Sequence, residues 1–404
     1  MIAALERIAG TLETCRPRAG APELPLAVPE SVEQAAELLR LAAVDGLTVI
    51  PVGRGSKLGW CGPPAHADFM LGTRRLAEIV AHEPDDGTIT ARAGIGMDAL
   101  REAARAGGHF LTPDVPRPAD ATLGGVLAAG QSGLDRLRFG PVRHHVLGMT
   151  VLLGDGTTAR SGGRLVKNVT GFDLHRLYCG SRGSLCVIVE ASLRLFPEPE
   201  RELLLTTAAA DTEAAARLAA EALALPARTV SLIAERDAAG WRLTARLFGK
   251  REAVAAEREP FLRAWPAAEI AADAAAREAA ERTRDTALES AGGVLEIGCR
   301  PTEVWQALAA VDEAFAAPRV RLQPGIALLE ISLGAADAGI APTCERLRAK
   351  LATACTGGAS VRLVDGPLHV FEPPVPAAAA LMERLQRSLD PRGVFARGRL
   401  GGGL

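Results

Sequence analysis

The apolar run Leu47-Thr48-Val49-Ile50 passes directly into PVGRGSKLGW, residues 51–60. A strand that ends in so much glycine is followed by a bend, and a bend of this composition lets backbone N–H groups come close to an anion. Three anion-binding readings compete. A Walker-type loop ends in Gly-Lys-Ser/Thr, whereas Gly55-Ser56-Lys57 reverses the order. A dinucleotide fingerprint needs G-x-G-x-x-G opening a helix. Gly53, Gly55 and Gly59 leave one residue too many, and Leu58-Gly-Trp-Cys-Gly-Pro-Pro64 cannot begin a packed helix. A nest of successive N–H groups remains, built by Val52, Gly53, Arg54, Gly55, Ser56 and Lys57, with the two cations adding charge or pointing to solvent. A plain structural turn stays open beside it.

The rest of the chain narrows the context. It has 404 residues, 23% charged and 48% hydrophobic, with a formal net charge of −2, which favours two soluble domains and gives no reason to expect nucleic acid as a partner. Glu6 and Arg7 interrupt the first apolar residues, so no signal peptide is expected, and no apolar stretch reaches the roughly 20 residues of a spanning helix. The seven cysteines show no C-x-x-C spacing and read as reduced thiols of a cytoplasmic protein.

Local signals divide the chain. Ser31 and Gln34 form a capping-box pattern before a helix with Ala35, Leu38, Leu39 and Ala42 on one face, stopped by Gly46. Strands are expected at 47–52, 88–95 and 185–195, a helix at 98–106, and a hairpin over 146–160 around Gly154-Asp155-Gly156. The PEPE stretch at 197–200 marks a change to alanine-rich sequence. Beyond it, short strands at 202–207, 228–234, 241–248, 293–298, 326–333 and 359–364 alternate with helices, giving an antiparallel sheet covered by helices. The expected fold class is α+β, divided at 1–198, 199–375 and 376–404. The last part is a helix over 376–389 and a tail that return to the first domain.

Residues 113–140 read PDVPRPADATLGGVLAAGQSGLDRLRFG. Pro113 and Asp114 open the stretch. Thr122, Gly124 and Gly125 lack bulk where a second backbone segment closes on a phosphate or a ring, and Ala128, Ser132 and Gly133 continue the series. A tight helix–sheet contact wants the same small residues, so this stretch alone leaves both readings open. A third block, residues 165–196, reads LVKNVTGFDLHRLYCGSRGSLCVIVEASLRLF.

The order of P-x-G-x-G-[ST] at 51–56, T-x-G-G at 122–125, K-N-x-[AT]-G-[FY]-D-L-x-R-L at 167–177 and G-S-x-G-x-L-x-V-I at 180–188 resembles the FAD-linked oxidases of the vanillyl-alcohol oxidase type. Within them it is most similar to the family of E subunits of bacterial glycolate oxidase, whose tail the ending Gly393-Val-Phe-Ala-Arg-Gly-Arg399 also resembles. The resemblance covers residues 25–200 and returns over 389–399.

It implies a two-lobed FAD domain, with a second domain capping the ring end. The loop matching 53–57 is expected on the FAD diphosphate, and 122–133 beside it and toward the flavin. Gly183, Val187 and Ile188 are expected at the adenine end, and Arg397 or Arg399 near the flavin.

Some relatives hold a hydroxy acid with a histidine-rich metal cluster in the second domain. Here the histidines are His66, His82, His109, His144, His145, His175 and His369, and only His369 falls there, so no metal site is expected. Adjacent strand residues such as His144 and His145 point to opposite faces. His175 reads as structural rather than as a base. Lys167 and Arg176 either contact flavin or substrate, or pair with Asp173. Cys179 and Cys186 read as buried thiols.

The resemblance therefore implies an FAD subunit of a glycolate oxidase complex, working on glycolate or D-lactate beside a catalytic FAD subunit and an iron–sulfur subunit. Its own task would be electron relay or assembly. It is expected in the cytoplasm, at most peripheral to the membrane through partners, with no direct membrane insertion. A stand-alone FAD-dependent hydroxy-acid or alcohol dehydrogenase, and a non-catalytic assembly protein, are the alternatives. Flavin tethers in such proteins use a histidine in the first glycine loop or a cysteine in the second. Residues 51–60 hold no histidine and 126–134 no cysteine, so FAD is expected to be non-covalent. Acid or heat precipitation is expected to release all of the flavin into the supernatant; colour retained by the pellet would contradict this.

Overall fold

The protein is described by a computed structural model over residues 1–17, 21–62, 64–164, 171–286, 293–315, 318–333, 340–364 and 376–400. Two compact units emerge. One comprises Met1–Ser132, Pro141–Pro197 and Phe371–Leu404, and the other Gly133–Gly140 and Glu198–Val370. Among the described residues, no helix is long and apolar enough to cross a membrane.

The first unit opens with helix α1 (Ile2–Ala9) and strands β1 (Glu13–Cys15) and β2 (Leu24–Ala27). Helix α2 (Val32–Asp45) begins where the Ser31 side chain accepts from the Gln34 N–H at 3.2 Å and ends at Gly46 in the left-handed region. Gln34 Oε1 accepts in turn from the Glu30 N–H at 2.8 Å, one residue before the position a strict capping box would use. The face formed by Ala35, Leu38, Leu39 and Ala42 is buried, as the spacing requires. Strands β3 (Val49–Val52) and β4 (Phe69–Gly72) complete a four-stranded sheet ordered β1-β2-β4-β3.

A second, antiparallel sheet follows. Its strands are β5 (Ile79–Glu83), β6 (Thr88–Arg92), β8 (Val146–Leu152), β9 (Thr158–Gly162) and β10 (Val187–Arg194), in the order β5-β6-β10-β8-β9. Strands β8 and β9 are the hairpin read from Gly154-Asp155-Gly156. Between β6 and β8 come helix α3 (Met97–Ala106), the two-residue strand β7 (His109–Phe110), helix α4 (Leu123–Ala129) and helix α5 (Arg136–Phe139), the last belonging to the second unit. Helix α6 (Leu174–Tyr178) precedes β10, and β11 (Phe196–Pro197) pairs with β7.

Strand β10 reads apolar nearly throughout because both of its faces are buried. Val187 and Val189 pack into the core of α1, α2 and the first sheet, while Ile188, Ala191 and Leu193 pack into the core of the second sheet. One strand thus holds the two lobes together.

The second unit repeats one βαββαβ module. The first module is β12 (Arg201–Ala209), α7 (Thr212–Ala224), β13 (Ser231–Asp237), β14 (Gly240–Gly249), α8 (Arg251–Ala264) and β15 (Glu269–Ala272). After helix α9 (Ala274–Asp285) the second module runs β16 (Val294–Gly298), α10 (Val304–Ala314), β17 (Arg319–Gln323), β18 (Leu328–Ser332), α11 (Ile340–Ala354) and β19 (Ser360–Val364). The modules join edge to edge in one antiparallel sheet ordered β15-β12-β14-β13-β17-β18-β16-β19. Strands β15 and β17 are absent from the sequence reading. EIAA carries too little bulk to signal a strand, whereas RVRLQ alternates polar and apolar residues but spans only five positions.

Helix α12 (Pro376–Leu389) returns to the first unit, where Gln386 donates to the Ser184 carbonyl. The tail then lies along β3: the Val49 N–H donates to the Val394 carbonyl at 2.7 Å, and the Ala396 N–H donates to the Val49 carbonyl at 3.0 Å. Asp390 fixes this turn by accepting from the Val394 and Phe395 N–H groups.

Close backbone approach is most acute at Gly94, whose N–H donates to the Leu76 carbonyl at 2.7 Å. A methyl group there would overlap the Thr73 carbonyl oxygen and lie 2.7 Å from that of Leu76. Both obstacles are backbone atoms. Gly94→Ala is therefore expected to destabilise the protein by about 1–3 kcal/mol; an unchanged thermal midpoint would contradict this packing.

Candidate functional site

The bend after β3, the start of α4 and the turn before β10 meet in one cleft of the first unit. Its empty space is about 640 Å³ with the open mouth included, which suits an extended ligand better than a single ion. Of the residues singled out from the sequence, Val52, Gly53, Arg54, Gly55, Ser56 and Lys57 line it from one side. Thr122, Gly124, Gly125 and Ala128 line it from another, and Gly183, Val187 and Ile188 from a third. Three stretches separated by about sixty residues or more are thus brought to one surface.

The glycines serve different ends. A Cβ on Gly53 would overlap the Thr122 hydroxyl and lie 3.1 Å from both Thr122 carbons, so the bend can touch the cap of α4 only without a side chain. Gly55 adopts φ 86°, the left-handed conformation a nest requires. The Thr122 hydroxyl accepts from the Gly125 N–H at 3.2 Å and caps α4. Gly124 answers to packing: its N–H donates to the Ala93 carbonyl at 2.7 Å, and a Cβ would stand 2.9 Å from that of Ala93. Gly183, at φ 73°, lies against the ring of Pro51. The packing reading holds at Gly53, Gly124 and Gly183, while Gly55 has the backbone conformation that the phosphate reading asks for.

The cations divide as well. Arg54 is drawn to the Ala119 carbonyl and stands 3.9 Å from Asp98. The Lys57 ammonium lies over the Trp60 ring, 5.3 Å from its centre. Arg399 is 3% exposed and lines the cleft; its Nη1 donates to the Gly62 carbonyl at 3.2 Å, while its Nε has no hydrogen-bond partner among the described residues. A buried guanidinium without a carboxylate beside it is costly unless an anion compensates it.

Arg397, the other tail arginine expected near the flavin, is exposed and outside the cleft lining. The turn at 397–400, with Gly398 at φ 89°, directs Arg399 inward instead.

Four other candidates also lie outside the lining. Pro113 is buried beside Asp114, and Asp114 pairs with Arg101 at 2.9 Å. The Ser132 hydroxyl accepts from the Val142 N–H at 2.9 Å. Gly133 belongs to the second unit and serves a left-handed turn at φ 77°. Conversely, Cys61, Thr73, Arg182 and Cys186 line the cleft without having been singled out for it. Arg182 lies inside the G-S-x-G motif and takes a positive φ of 54°, a strained position its neighbouring glycines could have flagged.

The remaining candidates are structural. His175 is buried, its Nδ1 3.1 Å from the Ser161 hydroxyl, and burial lowers its pKa against the pull of Asp173. His145 packs edge-on to Phe196, while His144 is exposed. Arg176 pairs with Asp173 at 3.2 Å. Burial pushes the Cys179 thiol up to about 12 and raises that of Cys186 too, which leaves both poor nucleophiles. Among the described residues, no group of three or more His, Cys, Asp or Glu is placed to hold a metal. Lys167 and His369 lie outside the described residues.

Comparison with known proteins bears on this cleft. Residues 24–162 match the sequence family described as FAD binding domain. Glycolate oxidase subunit GlcD of Bacillus subtilis is 31% identical over 199 residues, covering 48% of this chain and 42% of that one. Glycolate oxidase subunit GlcE of Escherichia coli is 35% identical over 170 residues, 42% of this chain and 48% of that one. The matched segments thus span less than half of either relative. An alkyldihydroxyacetonephosphate synthase structure superposes with a TM-score of 0.70 at 14% identity, over 95% of this chain and 78% of the other, a likeness of fold.

The cleft fits such a dinucleotide: a bend rich in N–H groups, small residues opposite, and a buried guanidinium with no carboxylate partner among the described residues. Because Gly53 sets how closely the two sides approach, Gly53→Ala is expected to weaken FAD binding at least about tenfold, or ~1.4 kcal/mol, in a fluorescence titration; unchanged affinity would contradict the geometry. The matched span takes in both the Val52–Lys57 bend and the Thr122 cap, and residues 24–162 are accordingly an FAD-binding domain whose cofactor is FAD.

Proposed function

We propose that this chain is an FAD-binding subunit of a glycolate oxidase complex, an oxidoreductase that takes the α-hydrogen from a small 2-hydroxy acid such as glycolate. The observation that carries the reading is the cleft, which three distant stretches line inside an FAD-binding domain together with the buried Arg399, whose guanidinium has no carboxylate partner among the described residues. Support for the substrate class comes from the two relatives that are subunits of glycolate oxidase.

In this reading the amides of residues 53–57 hold the FAD diphosphate, and the Thr122–Ala128 stretch closes on its other side. Gly183, Val187 and Ile188 face the adenine end. Bound FAD supplies a hydride acceptor. The protein's part is to hold the cofactor extended, without a covalent tether, and to exclude bulk water from it.

A hydroxy acid also needs a clamp for its carboxylate and a base for its hydroxyl. His175 is buried against Ser161, Arg176 is paired with Asp173, and residues 199–375 contain one histidine. Oxidation of glycolate to glyoxylate is therefore assigned mainly to a catalytic FAD subunit. An iron–sulfur subunit carries electrons onward, and this chain serves relay or assembly. The complex works in the cytoplasm or at the inner face of the membrane. The isolated chain, loaded with FAD, is expected to reduce a dye with glycolate far more slowly than the assembled complex. A rate equal to that of the complex would overturn the division of labour, and failure to co-purify with a second flavoprotein would overturn the subunit reading.

A further inference from the structure

The sheet of the second unit has one apolar face and one charged face. Leu295, Ile297, Val320, Leu322, Leu329, Ile331, Val361 and Leu363 point into the core. The intervening residues form a single cross-strand row fixed by register. Arg242 on β14 is opposite Glu235 on β13, and Glu235 is opposite Arg321 on β17. Arg321 is opposite Glu330 on β18, Glu330 is opposite Glu296 on β16, and Glu296 is opposite Arg362 on β19. The signs run plus, minus, plus, minus, minus, plus. Alternation fails at one point, where Glu330 and Glu296 face each other directly.

The neighbours do not repair that fault. Arg321 spends its donors elsewhere: Nε donates to Glu235 at 3.0 Å, and Nη2 donates to the Thr283 and Thr286 carbonyls, at the end of α9 and just beyond it, at 2.7 and 2.6 Å. Its Nη1 reaches Glu330 only at 3.9 Å. Arg362 is engaged by Glu296. Glu330, its side chain 26% exposed, accepts no hydrogen bond from a described residue. Carboxylates directly opposite on adjacent strands repel, and two acids at such separation ionise together only at a cost.

We propose that Glu330 holds a proton directly across from Glu296, and that this proton is a pH-sensitive latch on strands β16, β18 and β19. With the proton present, a neutral carboxyl on β18 stands opposite Glu296 on β16. Without it, two negative charges face each other across the β16–β18 ladder, and that ladder loosens. Burial raises Glu330 from its ordinary 4.5 to about 7, Glu296 and Glu235 adding to the rise and Arg321 and Arg362 opposing it. The sign follows from linkage: the folded state holds this proton more tightly than the unfolded state. The stabilisation is present in full below the ordinary glutamate range and is lost as pH climbs to about 7.

The test is amide hydrogen exchange on the full FAD-loaded chain at about pH 5.5 and about pH 8.5, corrected for intrinsic exchange and read by peptide. Protection of β16 and β18 is expected to fall several-fold at the higher pH in the natural protein and to stay constant in Glu330→Gln, whose neutral amide mimics the protonated acid. If Glu330→Gln does not fold, Glu330→Leu, which likewise cannot ionise, provides the same comparison. Protection independent of pH in the natural protein, or a pH-dependent loss that persists in the variants, overturns the proposal.

Discussion

The first unit depends on a contact that only a missing side chain permits. The backbone at Gly53 lies against the hydroxyl and methyl of Thr122, and Thr122 is the cap of α4. Any Cβ at position 53 would push the bend away from the helix or uncap it. The bend cannot retreat, because β3 behind it is held by β4 on one side and by the tail at Val394–Ala396 on the other. The helix cannot retreat either, because Gly124 lies against Ala93. Cleft width is thus set by backbone contacts on both sides, which resist change far better than long side chains would.

In the proposed reading, that arrangement is what meets a dianionic ligand. Amides carry partial positive charge without bringing counter-ions, so a run of them can meet a diphosphate with little competing electrostatics. The side-chain cations of the bend are occupied with Asp98, the Ala119 carbonyl and the Trp60 ring. The full charge comes from a distant part of the chain, Arg399, held in place by backbone pairing of the tail. The second unit handles charge by another rule. Its buried arginines are paired within the sheet face, as where Arg246 meets Glu202 at 2.7 Å and Asp135 at 2.8 Å. Glu330, by contrast, stands opposite another acid with no cation in hydrogen-bond range among the described residues.

Much of this was legible in the chain. The helix at 32–45 was signalled by its cap, its apolar face and its glycine stop, all of them local. So was the hairpin around Gly154-Asp155-Gly156. The three cleft-forming stretches were visible as clusters of small residues. The packing duty of Gly124 was not separable from a ligand duty, because both select against the same Cβ. Asp114 and Ser132 were expected at the site, yet Arg101 and the Val142 N–H claim them, partners 13 and 10 residues away in the chain.

By itself the sequence determined what depends on near neighbours: the caps, the alternation of most strands, the glycine-rich bend that excludes two phosphate-loop types, and the scarcity of histidine after residue 199. Tertiary structure alone decided which of two tail arginines faces the cleft, since a left-handed turn at Gly398 rotates Arg399 inward and leaves Arg397 in solvent. It also decided that Glu296 and Glu330 meet. Strand register is a property of the assembled sheet, and residues 34 apart in the chain become directly opposed only when β16 and β18 pair.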